Sequence, residues 1–183
     1  GGLNGTKLAK KYNIKKSTTS YRELLSDPEI DTVIISTRHN SHAKITVESL
    51  KAGKNVFVEK PLALNFEELK NIESVLASNK SKFLTVGFNR RFSPHLEKLK
   101  KSLGSNNKNI NIINTMNAGF LPSDHWSKSL NEGGGRIIGE ACHLIDVCVY
   151  LTGSLVKSIC MNSLGTSTDL KTEVKIDHKD GKV

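Results

Sequence analysis

Thr32-Val33-Ile34-Ile35-Ser36 is the stretch that decides the fold. Its apolar run is continuous rather than alternating, which predicts a strand buried on both faces of a sheet. Outward from it the chain alternates. A helix is expected from about Ser41 to Ala52, with Ala43, Val47 and Leu50 at helical spacing and Gly53 as its stop. Asn55 to Val58 reads as the next strand. Asn65 caps a further helix, Glu68 completes a capping box, and Leu69, Ile72 and Leu76 form the buried stripe. Phe83 to Gly87 is again a strand. Upstream, Thr6 to Tyr12 reads as a helix end and Tyr21 to Leu25 as a short helical turn.

Strand–helix–strand–helix–strand with short connections predicts parallel crossovers, hence a doubly wound α/β sheet. Ligands of such sheets sit beyond the carboxyl ends of the strands. Thr37 to His42 and Glu59-Lys60-Pro61 fall at those ends. After Gly87 the pattern changes. A helix from Pro94 to Leu103 leads to a polar loop, Gly104 to Asn109, and a strand, Ile110 to Ala118. An irregular segment carrying Trp126 follows, then a long helix from Arg136 to Leu151 and strands at Leu155 to Asn162 and Thr172 to His178. This second part reads as an α+β domain. Both ends read as severed. Asp180-Gly181 signals a hairpin with only Lys182 and Val183 left to return. Gly1-Gly2-Leu3-Asn4-Gly5 follows no strand and lacks the spacing of a phosphate-binding loop.

Composition narrows the function classes. Apolar residues make up 37% and charged residues 25%, ordinary for a globular chain, and no apolar run is long enough to cross a bilayer. Cys142, Cys148 and Cys160 show neither CxxC spacing nor an even count, which fits a reduced, cytoplasmic protein. The net charge of +9 comes from lysine clusters such as Lys7, Lys10, Lys11, Lys15 and Lys16. With aromatics at 5% and no nucleic-acid motif, these lysines read as a solvated surface, and no nucleic-acid partner is expected.

Chemistry concentrates after Gly133-Gly134-Gly135. The helix there is apolar on nearly every side, through Ile137, Ile138, Ala141, Leu144, Ile145, Val149 and Leu151, and so reads as buried. Glu140, His143 and Asp146 nevertheless recur along one stripe. Two readings stand: a core helix with an internal Glu–His pair, or an active-site wall with His143 as proton acceptor. Glu140-x-x-His143 matches half of a di-metal motif, but no second copy exists. His39-x-x-His42 lacks partner ligands, so no metal is expected. Lys60, held before Pro61, is either a positioned cation or a solvated one.

Val58-Glu59-Lys60-Pro61-Leu62-Ala63 resembles the Glu-Lys-Pro signature of the Gfo/Idh/MocA oxidoreductases. Thr37 to His42, Ala52-Gly53-Lys54, Gly87 to Phe92 and Gly133 to Asp146 fall in the family's order and spacing, so the resemblance runs from Asn4 to about Asn162. Arg38-His39-Asn40, Phe88 to Pro94 and Gly135 to Glu140 resemble two-part members in which such a module follows a zinc-alcohol-dehydrogenase-like half. The resemblance implies a Rossmann-like dinucleotide-binding domain over residues 1–88, lacking its first strand and glycine-rich loop. An α+β substrate and oligomerisation domain over residues 89–183, truncated at its end, would follow.

It also implies NAD or NADP as cofactor, and hydride transfer to or from a hydroxyl or keto carbon of a sugar, cyclitol or nucleotide sugar. Lys60 would contact the reacting hydroxyl, His143 would serve as acid/base, and Thr37, His39, Asn40, His42, Glu59, Lys60 and Arg90 would border the cofactor. The full-length protein would be a homo-oligomer, with no membrane association, and these 183 residues alone would bind cofactor poorly and be inactive. One departure stands out. Family members commonly carry an aspartate four residues before the histidine, where this chain has Gly139; Glu140 lies one residue along and is the candidate replacement. The alternative function is a non-catalytic nucleotide sensor or interaction module on the same fold.

Overall fold

The computed structural model describes residues 2–104, 110–117, 119–164 and 171–178. The chain divides into two compact units, Gly1–Gly87 with Pro122–Gly139, and Phe88–Leu121 with Glu140–Val183. Segment 122–139, which the sequence alone assigns to the second domain, therefore packs with the first unit.

The first unit opens with helices α1 (Gly2–Lys11) and α2 (Tyr21–Leu25). Three parallel strands follow, β1 (Thr32–Ile35), β2 (Asn55–Glu59) and β3 (Leu84–Gly87), side by side in chain order. Their register runs from Thr32 opposite Asn55 to Glu59 opposite Gly87. Parallel neighbours need long crossovers, and here these are α3 (His42–Lys51) and α4 (Phe66–Ser78). This is the parallel α/β arrangement expected from the alternation, and the Rossmann-like one that the family resemblance implies. Ile35, Val56 and Val58 meet Ala43, Val47 and Leu50 of α3 and Ile72 and Val75 of α4, and those side chains form the core.

Local chemistry sets the helix ends. Asn65 Oδ1 accepts the Glu68 amide at 2.9 Å, while Glu68 accepts the Leu64 amide at 2.8 Å, so the pair satisfies one orphan helix donor and ties down the residue before the cap. Gly53, at φ 71°, ends α3 in a conformation that costs glycine little. Lys54 is buried because its ammonium donates to the carbonyls of Asp27 (2.7 Å) and Ile30 (2.6 Å).

Three expectations are corrected. Strand β1 is not buried on both faces: Ile35 is 2% exposed but Ile34 is 72% exposed. The core helices lie on the Ile35 side, and among the described residues nothing covers the side of Ile34. In α4 the buried stripe runs through Ile72 and Val75, with Leu69 left 41% exposed. Residues 110–117 form no strand. Asn111, Asn114 and Asn117 punctuate that stretch, and asparagine competes with ladder bonding by binding nearby backbone. Asn117 does so, accepting the Gly119 amide at 3.0 Å.

The second unit contains α5 (Pro94–Leu103), started by Ser93 as cap and Pro94 in the first turn. A π-helical turn over Ile137–Ala141 leads into α6 (Cys142–Thr152), which Gly153 ends at φ 67°. Strands β4 (Val156–Leu164) and β5 (Lys171–His178) pair antiparallel. Ser105 to Asn109 of the expected polar loop, and the Asp180-Gly181 turn, lie outside the described residues. Among the described residues no helix is long and apolar enough to cross a membrane.

Candidate active site

Backbone pairing of β1 with β2 stops at Ile35 and Val58. Beyond it, the Thr37–His42 turn and the Lys60-Pro61 turn are held by side chains. Thr37 and Ser41 share a hydroxyl–hydroxyl bond of 2.6 Å, and Ser41 Oγ donates to Arg38 O at 2.8 Å. His42 is fully buried, with Nδ1 2.8 Å from Pro61 O and Nε2 3.0 Å from Thr37 O. His42, expected at the cofactor's border, has both ring nitrogens facing backbone carbonyls. The Lys60–Pro61 peptide bond is cis.

Segment 126–139 closes over the first of these turns. His39 Nδ1 lies 2.8 Å from Gly133 O, and its ring stands edge-on to Trp126 at 4.8 Å. Arg38 pairs with Glu132 at 2.8 Å and lies over the Trp126 ring at 5.5 Å, while the Asn40 amide donates to Glu132 O at 3.0 Å. Lys60 Nζ donates to Gly139 O at 2.7 Å. A Cβ on Gly133 would lie 2.3 Å from the Ser127 Cα, so the fold requires glycine there. Next to Arg38 and Trp126 is an open cavity of about 660 Å³, also lined by His125, Lys128 and Ser129. That volume is within the range of small-molecule sites.

Burial pushes His39 below the usual imidazole range, and the charges of Lys60 and His42 add to this, against the opposing bond to Gly133 O. A neutral ring whose Nδ1–H donates to Gly133 O keeps Nε2 as an acceptor. The stability consequence has a definite sign. With its folded pKa depressed, His39 binds fewer protons in the native state, so stability is full above pH 6.5 and falls on acidification through the folded pKa. Urea midpoints between pH 7.5 and pH 5 are expected to drop less in His39→Gln than in the parent protein; equal slopes would remove His39 from the linkage.

Glu59 ends β2 beside Gly87, where an added Cβ would come within 3.2 Å of its carboxylate. Arg90, Glu140 and His143 belong to the second unit. His143, half-buried near the start of α6, has the Phe88 ring edge-on at 6.1 Å. Arg90 is exposed, with Nη2 3.5 Å from Met116 Sδ. Its neighbour Arg91, not singled out by sequence, grips buried Asp146 through two bonds, one of them Nε to Oδ2 at 3.0 Å. The carboxylate bond raises the guanidinium's already high pKa, so Arg91 stays charged. Asp146 therefore anchors α6 rather than extending the stripe of Glu140 and His143. Arg91 and Trp126 were missed because each acts through a partner far along the chain. Among the described residues no cluster of three His, Cys, Asp or Glu side chains is placed to hold a metal ion.

Residues 3–88 match the model of the Gfo/Idh/MocA oxidoreductase family, described as an NAD-binding Rossmann fold. The chain belongs to the Gfo/Idh/MocA family. Among its curated relatives are the myo-inositol 2-dehydrogenase of Thermotoga maritima, 27% identical over 92% of this chain and 52% of the relative, and the NAD⁺-dependent scyllo-inositol 2-dehydrogenase of Bacillus subtilis, 33% identical over 83% and 44%. An NAD-binding protein from Listeria innocua superposes with a TM-score of 0.69 at 29% identity, covering 86% of this chain and 47% of that one. The chain thus spans about half the length of the relatives it matches. For a Gfo/Idh/MocA chain, Gly139 now has a physical reason. A Cβ there would lie 3.0 Å from Gly133 O, tighter than ordinary contact, and 3.4 Å from the His39 ring, so a side chain at this position needs the Gly133 carbonyl to give by a few tenths of an ångström.

Proposed function

We propose that the protein is a nicotinamide-dinucleotide-dependent dehydrogenase of a polyol hydroxyl, with a cyclitol as the favoured substrate class. The observation that carries this reading is Lys60: an ammonium held at the carboxyl end of β2, anchored on Gly139 O beside the His42-braced turns. The names of the inositol dehydrogenases among its relatives support the substrate class and NAD as the cofactor. A dinucleotide held beyond the strand ends would supply a hydride acceptor at its nicotinamide. Residues suited to hold it are Thr37, Arg38, His39 and Asn40 at the end of β1, Glu59 and Lys60 at the end of β2, and Arg90 of the second unit. Lys60 exchanges its bond to Gly139 O for one to the reacting oxygen, stabilising charge that builds there. His143 takes the hydroxyl proton as the carbon gives up its hydride, and Glu140 assists in place of the missing aspartate. In the reverse direction His143 returns that proton to the carbonyl oxygen.

A non-catalytic sensor is the competing reading, favoured by Lys60 being already engaged by a backbone carbonyl and by the glycine at 139. A cytoplasmic setting accords with Cys142 and Cys148 standing as thiols. The test is a titration of the full-length protein with NAD⁺ and NADP⁺, followed by Trp126 emission with Trp126→Phe as control. A screen of inositols, sugars and nucleotide sugars for reduced-cofactor formation follows. Saturable quenching with turnover is expected. Binding without turnover on any polyol favours the sensor, and no binding of either dinucleotide overturns both readings.

A further inference from the structure

We propose that His42 is a positioning residue of this site: its ring sets the spacing between the Thr37 turn and the Lys60-Pro61 turn, and through it the placement of the Lys60 ammonium. The inference rests on the dehydrogenase reading above.

The β1–β2 ladder ends at Ile35 and Val58, before either turn begins. Pro61 has no amide hydrogen, so it can donate no backbone bond across to β1. His42 spans the gap instead, with Nδ1 2.8 Å from Pro61 O and Nε2 3.0 Å from Thr37 O. Each ring nitrogen faces a carbonyl oxygen, which can only accept, so a tie forms wherever that nitrogen carries its hydrogen. The bond to Pro61 O is buried, which keeps water from competing for it, while the bond to Thr37 O is part-buried. As the first residue of α3, His42 is carried by a helix with seven of its ten residues buried, so the ring hangs from a rigid support. Lys60 leaves the chain immediately before Pro61 and reaches Gly139 O at 2.7 Å. A shift in Pro61 moves the base of that side chain directly. His42 is sealed from solvent and its ring nitrogens face backbone carbonyls, so its influence passes through Pro61 to Lys60 on one side and through Thr37 on the other.

The two bonds can be separated by substitution. An asparagine amide reaches about where Nδ1 lies and keeps the tie to Pro61; a glutamine amide reaches about where Nε2 lies and keeps the tie to Thr37. In the full-length protein, kcat, KM and NAD⁺ affinity are measured for His42→Leu, His42→Asn and His42→Gln, using the polyol turned over fastest in the screen. Melting curves are recorded alongside. His42→Leu is expected to lower kcat about 100-fold, the scale of a displaced catalytic group. His42→Asn should keep kcat within about fivefold, the worth of one ordinary hydrogen bond, while weakening NAD⁺ binding. His42→Gln should do the reverse, holding NAD⁺ affinity and losing kcat. If Asn and Gln behave alike, or kcat falls only in step with melting temperature, His42 is a core residue and the positioning role is overturned. Wild-type protein that turns over no polyol overturns the dehydrogenase reading, and the role with it. Should the leucine variant fail to fold, the contrast between Asn and Gln still decides.

Discussion

Lys60→Met is expected to cut kcat about 100- to 1000-fold, the usual loss when a donor aimed at developing charge is removed. Methionine preserves most of the stem's volume, so packing near Gly139 survives while the ammonium is gone. The Gly139 carbonyl then loses a donor that lies 2.7 Å away. Gly139 is buried, and an orphaned buried acceptor costs about 1–3 kcal/mol, so a modest fall in stability should accompany the kinetic loss. KM is expected to change far less than kcat, because the contact strengthens as charge builds on the substrate oxygen. Lys60→Arg should not restore activity, since a planar guanidinium cannot occupy the place of a compact ammonium. Steady-state kinetics on the full-length protein check all three statements. A Lys60→Met enzyme retaining its kcat would remove Lys60 from the chemistry. The sensor reading expects no turnover to lose and unchanged partner binding in the variant.

The second large effect is on stability. Asp146→Ala should destabilise the second unit by about 3 kcal/mol, the lower end of the cost of breaking a buried ion pair. The asymmetry of burial explains that choice: the Asp146 side chain is 8% exposed, whereas that of Arg91 is 33% exposed and recovers some solvation when left alone. Arg91 also lies 5.6 Å from the Tyr150 ring, which Lys100 approaches at 4.0 Å, so its removal disturbs a wider cationic and aromatic contact. Combining Arg91→Met with Asp146→Leu should recover part of the loss, because an apolar pair leaves no uncompensated charge. Urea denaturation of the two single variants and the double variant measures the coupling. Additive losses would show that the pair does not act as a unit. Because α6 carries His143, the single variants should also lose activity in their folded fraction.

Much of the first unit was legible from local pattern. The runs at Thr32–Ile35, Asn55–Glu59 and Leu84–Gly87 are short and rich in β-branched residues, and Asn65 with Glu68 marks a helix start by side-chain chemistry alone. The turns after β1 and β2 follow from that alternation, because strand direction decides which end carries the ligand-facing loops. Failures came where local signals conflict with context. Ile34 has the composition of a two-sided strand, yet burial depends on what packs above it. The apolar stretch 110–117 has the hydrophobicity of a strand, yet Asn117 binds backbone nearby and the stretch has no ladder partner among the described residues. Asp146 lies on the stripe of Glu140 and His143, and only the position of Arg91 separates an anchor from a reactive group.

Sequence alone thus determined the α/β alternation, the strand ends, and the residue types available there: Lys60, His39, His42, His143 and the glycine triplet. These follow from interactions within a few residues, where periodicity and capping act. Tertiary structure alone decided what each of them touches. His42 meets Pro61 across 19 positions, Lys60 meets Gly139 across 79, and His39 meets Gly133 across 94. Each is a side-chain bond to a backbone carbonyl, an acceptor every residue carries, so no residue type in the sequence marks the partner. Only the folded path of the chain brings that carbonyl within reach.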